Sequence, residues 1–148
     1  MYQRTPVGGP NRRGAAAVEM ALVTPFFVML VFGIIEFGRA MMVCNLITNA
    51  AREGTRAAVL DGSTNAAVTQ SVQTFLVGAL GVSASDISVA IAVTPATGNP
   101  SPGNVIANCL PRDSITVTVQ VPYNRVALIP GNYLQSKQLI GQNTMRHE

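Results

Sequence analysis

Residues 15–35 read AAAVEMALVTPFFVMLVFGII, and this run decides the fold class of the chain. Its length matches the roughly 20 apolar residues with which a helix crosses the hydrocarbon of a membrane. Glu19 is the one charged residue within it. A charge inside a membrane span is costly unless it is paired or reaches water, so Glu19 needs either a partner or a place near the headgroups. The run therefore predicts a transmembrane helix with one informative carboxylate.

An apolar run near an N-terminus is also compatible with a cleaved secretory signal peptide. The apolar core of a signal peptide is shorter, and a small-residue cleavage site follows it. Here the run continues without a break into EFGRAMMVCNLITNAAREGTRAAVL, residues 36–60. We therefore favour an uncleaved membrane anchor.

The charge distribution around the run indicates its orientation. Residues 1–14 contain Arg4, Arg12 and Arg13 and no acid, whereas basic and acidic residues balance in the rest of the chain, so this basic leader accounts for the net charge of +3. A positive flank favours a cytoplasmic N-terminus. A nucleic-acid partner is not expected, because that function requires a basic patch on the folded domain itself. Only 11% of all residues are charged, against about 25% in soluble domains, which favours a membrane-anchored protein.

Beyond the span, an amphipathic pattern predicts that the same helix continues to Leu60, where Asp61-Gly62 ends it. Small and apolar residues recur there at spacings of three and four, so another element can approach this helix closely. Glu36 and Arg39 are expected at the outer membrane–water boundary. At a separation of three they could pair on one helical face, but a solvated interface is favoured. The other charged residues, also expected on a solvated face, are Arg52, Glu53 and Arg56.

The remainder of the chain predicts a second helix followed by strands. Ser63 or Thr64 can cap a helix that runs to Leu80, and Gly81 is its C-terminal stop. Alternating residues predict strands over 87–93, 114–121 (SITVTVQV) and 138–146, while residues 94–104 and 127–134 have the glycine and proline content of connections. Two helices followed by strands give an α+β fold, in which a small antiparallel sheet packs on the emerging helix.

The sequence contains no catalytic or metal-binding pattern. The one histidine, His147, lies near the C-terminus, where we expect it to be frayed, and the two cysteines are far apart. Structural zinc takes four ligands at short spacings. We therefore expect no enzymatic activity, no metal and no cofactor. If the region after the span lies outside the cytoplasm, Cys44 and Cys109 could form a disulfide; the alternative is two separate buried thiols.

The stretch RRGAAAVEMALVTPFFVMLVFGIIEFGR, residues 12–39, resembles the start of the TadE-like family, which comprises minor pilins or pseudopilins of the bacterial tight-adherence (Flp-type) pilus system. The resemblance continues in NLITNAAREGTRAAV (45–59), SITVTVQV (114–121) and TMRHE (144–148). It implies a type IV pilin-like precursor that acts in assembly of a pilus for surface attachment. The partners it implies are a prepilin peptidase, other pilins, the pilus assembly machinery and the bacterial inner membrane.

The resemblance also implies a processing site. In such precursors a membrane-embedded aspartyl prepilin peptidase cuts after a glycine, and a glutamate is the fifth residue of the mature chain. The matching residues here are Gly14, Ala15 and Glu19. The implied organisation is a basic leader (1–14), a transmembrane helix (15–36) and an extracytoplasmic head (37–148) that includes the helix continuation.

Glu19 has two interpretations. It could act in assembly by pairing with the α-amino group that cleavage creates at Ala15 of a neighbouring subunit, since two charges that are costly alone in lipid become tolerable together. Alternatively, it could reach the headgroups, because it lies only five residues into the span.

A second hypothesis for function is a signal-anchored extracytoplasmic binding protein, whose head recognises an external ligand or surface. The N-terminus of the mature protein discriminates between the two, since a pilin begins at Ala15 and an unprocessed anchor at Met1. The sequence leaves open whether a pilin of this kind enters the fibre, caps its tip or primes assembly in the membrane.

Overall fold

The computed structural model describes residues 12–128 and 136–147. Its helices are α1 (Arg12–Ala58) and α2 (Asn65–Leu80), and its strands are β1 (Ser88–Thr94), β2 (Ser114–Pro122) and β3 (Gln138–Arg146). A long apolar N-terminal helix, a second helix and a three-stranded antiparallel sheet confirm the predicted α+β class. Most of the predicted leader, and most of the connection predicted at 127–134, lie outside the described residues.

The chain divides into two compact units, Met1–Ile35 and Glu36–Glu148, and α1 contributes to both. In the first unit, every residue from 14 to 30 is exposed. The helix continues through Pro25, next to which the Thr24 hydroxyl donates to the Met20 carbonyl oxygen at 2.6 Å. This part of α1 is long and apolar enough to cross a membrane.

The second unit contains α2, which begins and ends where its sequence predicts. Thr64 is the N-cap, and its hydroxyl accepts a hydrogen bond from the Ala67 N–H at 3.2 Å. Gly81 has a left-handed φ of 69° and donates to the Val77 carbonyl oxygen at 3.0 Å. Both ends of the helix are thus satisfied by local hydrogen bonds. The residues that α2 buries are Val68, Val72 and Leu76.

The sheet has the order β1-β2-β3, with β2 in the centre and both pairings antiparallel. The register aligns Val119 of β2 with Val89 of β1 and Gly141 of β3. Since side chains alternate along a strand, the odd-numbered positions of all three strands share one face. In β2 these positions are fully buried, namely Ile115, Val117, Val119 and Val121. The opposite face carries the polar even-numbered positions of β2.

Within the second unit, α1 packs on the buried face of the sheet through small residues. A Cβ atom at Gly141 would lie 2.7 Å from the Thr48 backbone N and 2.8 Å from the Ile47 backbone C, so β3 meets the helix backbone directly. A Cβ atom at Gly54 would lie 2.6 Å from Val72 Cγ2 and 3.5 Å from Val117 Cγ1. The prediction that small residues of α1 permit close approach is confirmed at Gly54, towards α2 and β2, whereas the close contact with β3 depends on Gly141 of the strand.

Several predicted boundaries differ slightly from the structure: β1 ends at Thr94 and β2 at Pro122, each one residue later than predicted. Two further differences have a local cause. α1 ends at Ala58 and not at Leu60, because Gly62 has a left-handed φ of 81° and the Ser63 hydroxyl donates to the Ala57 carbonyl oxygen at 2.6 Å. β1 begins after Ile87, whose N–H instead closes a 3-10 turn (Ala84–Asp86). In both cases, residues that the hydrophobic pattern assigns to the end of the helix or the start of the strand belong to a turn in the structure.

Candidate functional site

The predicted processing residues lie in the first turns of α1. The Gly14–Ala15 peptide bond lies in the first described turn of α1, which begins at Arg12. Both residues are exposed, and a Cβ atom at Gly14 would meet no neighbouring atom within 4 Å. No described side chain therefore crowds this peptide bond.

Glu19 is exposed on the same helix. It lies four residues after Ala15, so the two are neighbours on one side of α1, about 6 Å apart along the axis. No ion pair to Glu19 forms among residues 12–128 and 136–147. The structure thus places Gly14, Ala15 and Glu19 within two turns at an exposed helix end.

Glu36 is the first residue of the second unit, and it is buried, with 3% of its surface exposed. The prediction that it forms a solvated boundary with Arg39 is therefore wrong for Glu36. The 3-10 turn Tyr123–Arg125, which follows β2, folds over this position. The Tyr123 hydroxyl donates to the Glu36 carbonyl oxygen at 3.3 Å, and Arg39 Nε donates to the Val126 carbonyl oxygen at 3.3 Å.

The surroundings of Tyr123 alter its ionisation. Burial, followed by the hydrogen bond and the charge of the Glu36 carboxylate, raises the pKa of the Tyr123 hydroxyl well above its ordinary value. The tyrosine therefore stays neutral, and its hydroxyl remains a hydrogen-bond donor. The contact between Tyr123 and Glu36 thus joins the turn after β2 to α1 at the start of the second unit.

The sequence contains a local signal for the burial of Glu36. Glu36 falls on the same spacing of four and three as the buried residues Ala40, Val43 and Ile47. A carboxylate on an otherwise apolar stripe indicates a buried polar contact at that end of the stripe. Its partner, Tyr123, is 87 residues away in the chain and cannot be inferred from local pattern.

Asp113 organises the long connection between β1 and β2, a role that was not predicted from the sequence. Its side chain is fully buried. Oδ1 accepts hydrogen bonds from the Ala96 N–H at 2.8 Å and from Asn99 Nδ2 at 2.7 Å, and Oδ2 accepts from the Leu110 N–H at 2.9 Å. These bonds, first among them that from Ala96, hold the pKa of the carboxyl below its ordinary value. The position of Asp113 in the sequence could have indicated this role, because an aspartate that follows a loop rich in proline and glycine often organises a turn.

The two cysteines are free, half-buried thiols in this structure, as in the alternative of two separate thiols, and the possible disulfide between Cys44 and Cys109 is not formed. Cys109 lines a small cavity with residues 60–64, which follow α1. Cys44 lies 14 residues before Ala58, the end of α1, which corresponds to about 21 Å along a helix. A disulfide requires Cα atoms within about 7 Å. Burial, and to a lesser extent the Asp113 carboxylate, raise the pKa of the Cys109 thiol.

His147 is not frayed, contrary to expectation, because it is 8% exposed. Its N–H donates to the Asp113 carbonyl oxygen at 2.7 Å, and its Nε2 lies 3.9 Å from Asp61 Oδ1. The end of β3 is thereby attached to the connection between β1 and β2. Among the described residues, no group of three or more histidine, cysteine, aspartate or glutamate side chains is arranged to hold a metal ion.

An exposed apolar helix of membrane-spanning length, continuous with an α+β unit, is the architecture of a single-pass membrane protein. The family model described as TadE-like protein matches residues 14–56, from the predicted cleavage position almost to the end of α1. The match confirms the predicted resemblance and identifies residues 14–56 as a TadE-like region. No curated protein and no solved structure matches the chain.

Proposed function

We propose that the chain is a minor pilin or pseudopilin precursor of the tight-adherence pilus, which a prepilin peptidase cuts between Gly14 and Ala15. The observation that carries this proposal is the placement of that peptide bond. It lies in the exposed first turn of α1, at the start of the TadE-like match, and a helix of membrane-spanning length follows it directly.

The proposed role is non-covalent and requires no catalytic site or cofactor. The arginines of the leader keep the N-terminus in the cytoplasm, and the first part of α1 holds the subunit in the inner membrane, with the second unit on the outer side. Large side chains of this part are exposed, for example Phe26, Phe27 and Leu30. In the membrane they contact lipid, and in a pilus assembly they pack against the corresponding helices of other pilins.

Cleavage also supplies a partner for Glu19. Removal of the leader frees an α-amino group at Ala15, which is mostly protonated at neutral pH. The exposed carboxylate of Glu19 on one subunit then pairs with the amine of its neighbour. Each charge alone would be costly in an apolar surrounding, so the pair favours assembly of cleaved subunits over uncleaved ones.

The proposal is tested with Glu19→Ala in a bacterium that carries the pilus system and lacks its own copy of this protein. We expect piliation at least tenfold below that of the wild type, measured by electron microscopy and by the pilin content of sheared fibres. Glu53→Ala is the matched control, because Glu53 is an exposed glutamate on the same helix outside the proposed span. If Glu19→Ala assembles and is cleaved like the wild type, the proposed pairing of Glu19 with the Ala15 amine in assembly is wrong.

A further inference from the structure

A polar cavity of about 260 Å³ lies at one end of the sheet, remote in sequence from the proposed processing site. Its wall is formed by the segment from Thr94 to Thr97, together with Arg112, Ser114 and Arg146. Two arginines, two threonines and one serine thus line one space. Nothing in the proposed pilin mechanism uses these residues.

The strand register fixes three of these residues side by side. Thr94 of β1 is aligned with Ser114 of β2, and Ser114 is aligned with Arg146 of β3. All three occupy even-numbered positions, so they lie on the sheet face opposite to the helices. Because all three belong to the hydrogen-bonded sheet, their spacing is set before any ligand arrives.

Arg112 completes the cavity from an unusual backbone conformation. Its φ is 78°, in the left-handed region that favours glycine and is unfavourable for a side chain as large as arginine. The conformation is held on both sides: the Arg112 N–H donates to the His147 carbonyl oxygen at 2.8 Å, and the next residue is the buried Asp113. The fold therefore keeps an arginine at the cavity in a position where a glycine would cost less.

The described residues that line the cavity carry positive charge. They include two arginines and no acid, and within residues 12–128 and 136–147 neither Arg112 nor Arg146 forms an ion pair. Asp113, the acid next to Arg112 in the chain, does not line the cavity, and its carboxylate is buried among hydrogen bonds from Ala96, Asn99 and Leu110. The Asp113 carboxylate is thus bound by groups of the loop and does not occupy the cavity.

We propose that this cavity binds the carboxylate or phosphate group of a small acidic molecule of about one sugar unit. Arginine forks bind such oxyanions in a bidentate manner, and serine and threonine hydroxyls bind either oxyanion oxygens or sugar hydroxyls. The volume of about 260 Å³ is just below the roughly 300–1,000 Å³ of pockets for drug-sized ligands. Anion binding here does not depend on the proposed role in a pilus.

The test is calorimetric titration of the full-length protein in neutral detergent, at constant ionic strength, with three probes: glucuronate, inorganic phosphate and glucose. We expect saturable binding of at least one of the two anions and at least tenfold weaker binding of glucose. Binding of glucuronate assigns the site to a sugar carboxylate, and binding of phosphate alone assigns it to a phosphoryl group. The absence of saturable binding by both anions, or glucose binding as strong as that of the anions, overturns the proposal.

Arg112→Gly separates binding from folding, because it removes the guanidinium and relieves the left-handed backbone. We expect a thermal midpoint no lower than that of the wild type and roughly tenfold or greater loss of anion affinity, as for Arg146→Gln. Arg52→Gln, at an exposed arginine of α1 away from the cavity, is the matched control and should keep wild-type affinity. Equal losses in Arg112→Gly and Arg52→Gln would show that net charge alone attracts the anion, and would refute a site.

Discussion

The two parts of α1, residues 14–35 and 36–58, are both apolar and differ in what covers them. Phe26 and Leu30 in the first part are 73% and 60% exposed, whereas Val43 and Ile47 in the second part are fully buried by the rest of the second unit. Large aromatic and aliphatic side chains are exposed along the first part. In the second part, Gly54 of α1 and Gly141 of β3 allow close contact of the helix with α2 and β3.

This comparison shows that apolar content alone does not tell whether a helix is covered by its own chain. In the second part, charged residues lie beside the apolar stripe and remain exposed, as predicted. They are Arg52, Glu53 and Arg56. The first part has no charged residue apart from Glu19, and its residues 14–30 are exposed, which suits the contacts with lipid or pilin helices proposed for it.

The strongest test of the comparison places the same charge in both parts. Ile47→Asp buries a carboxylate against the sheet, and we expect it to cost on the order of 5 kcal/mol, which approaches the stability of a small domain. Phe26→Asp should leave the second unit folded, because Phe26 is exposed. Circular dichroism and limited proteolysis in detergent measure both. Equal loss of structure in the two variants would contradict the distinction.

The close approach of β3 to α1 is tested at Gly141. Gly141→Ala puts a methyl group 2.7 Å from the Thr48 backbone N, which must move the strand or the helix, and we expect a loss of about 3 kcal/mol. Gly78→Ala, in the open on α2, is the control and should stabilise by about 0.5–1 kcal/mol. Urea denaturation of both variants gives the two values. A neutral Gly141→Ala would mean that β3 does not meet the backbone of α1 directly.

The smallest expected effect concerns the start of the second part of α1. Tyr123→Phe removes the hydroxyl beside Glu36, and we expect a loss of about 1 kcal/mol near neutral pH. The raised pKa of Tyr123 means that the folded state favours the neutral hydroxyl. This contribution is complete below the unfolded pKa of about 10 and declines above it.

The stability difference between wild type and Tyr123→Phe should therefore shrink from pH 9 towards pH 11, which is about one pH unit to either side of that unfolded pKa. Thermal unfolding at several pH values checks this. A difference that is constant or grows with pH would mean that Tyr123 is not held neutral by Glu36.

Local pattern predicted much of the fold, because capping and periodicity are local. Thr64 and Gly81 bound α2 as predicted, and the alternation of residues 114–121 recurs in β2 with every second residue buried. The family resemblance over α1 was also visible, since it rests on contiguous residues.

What the sequence did not reveal depends on contacts between distant residues. The burial of Glu36 requires Tyr123, and that of His147 follows from its bond to Asp113. The cavity between Arg112 and Arg146 appears only when the strand register is known. Glu36 and His147 are charged or polar, so hydropathy assigns them to the surface until the tertiary structure shows that they are buried.

The proposal that α1 begins as a processed membrane anchor is tested most directly by the N-terminus of the protein isolated from membranes. N-terminal sequencing and intact mass measurement should find Ala15 as the first residue in cells with an active prepilin peptidase, and Met1 in cells that lack it. Met1 retained in the presence of the peptidase would contradict the account and favour an anchored binding protein. A first residue beyond Gly33 would contradict it as well, and would make the first part of α1 a cleaved signal peptide.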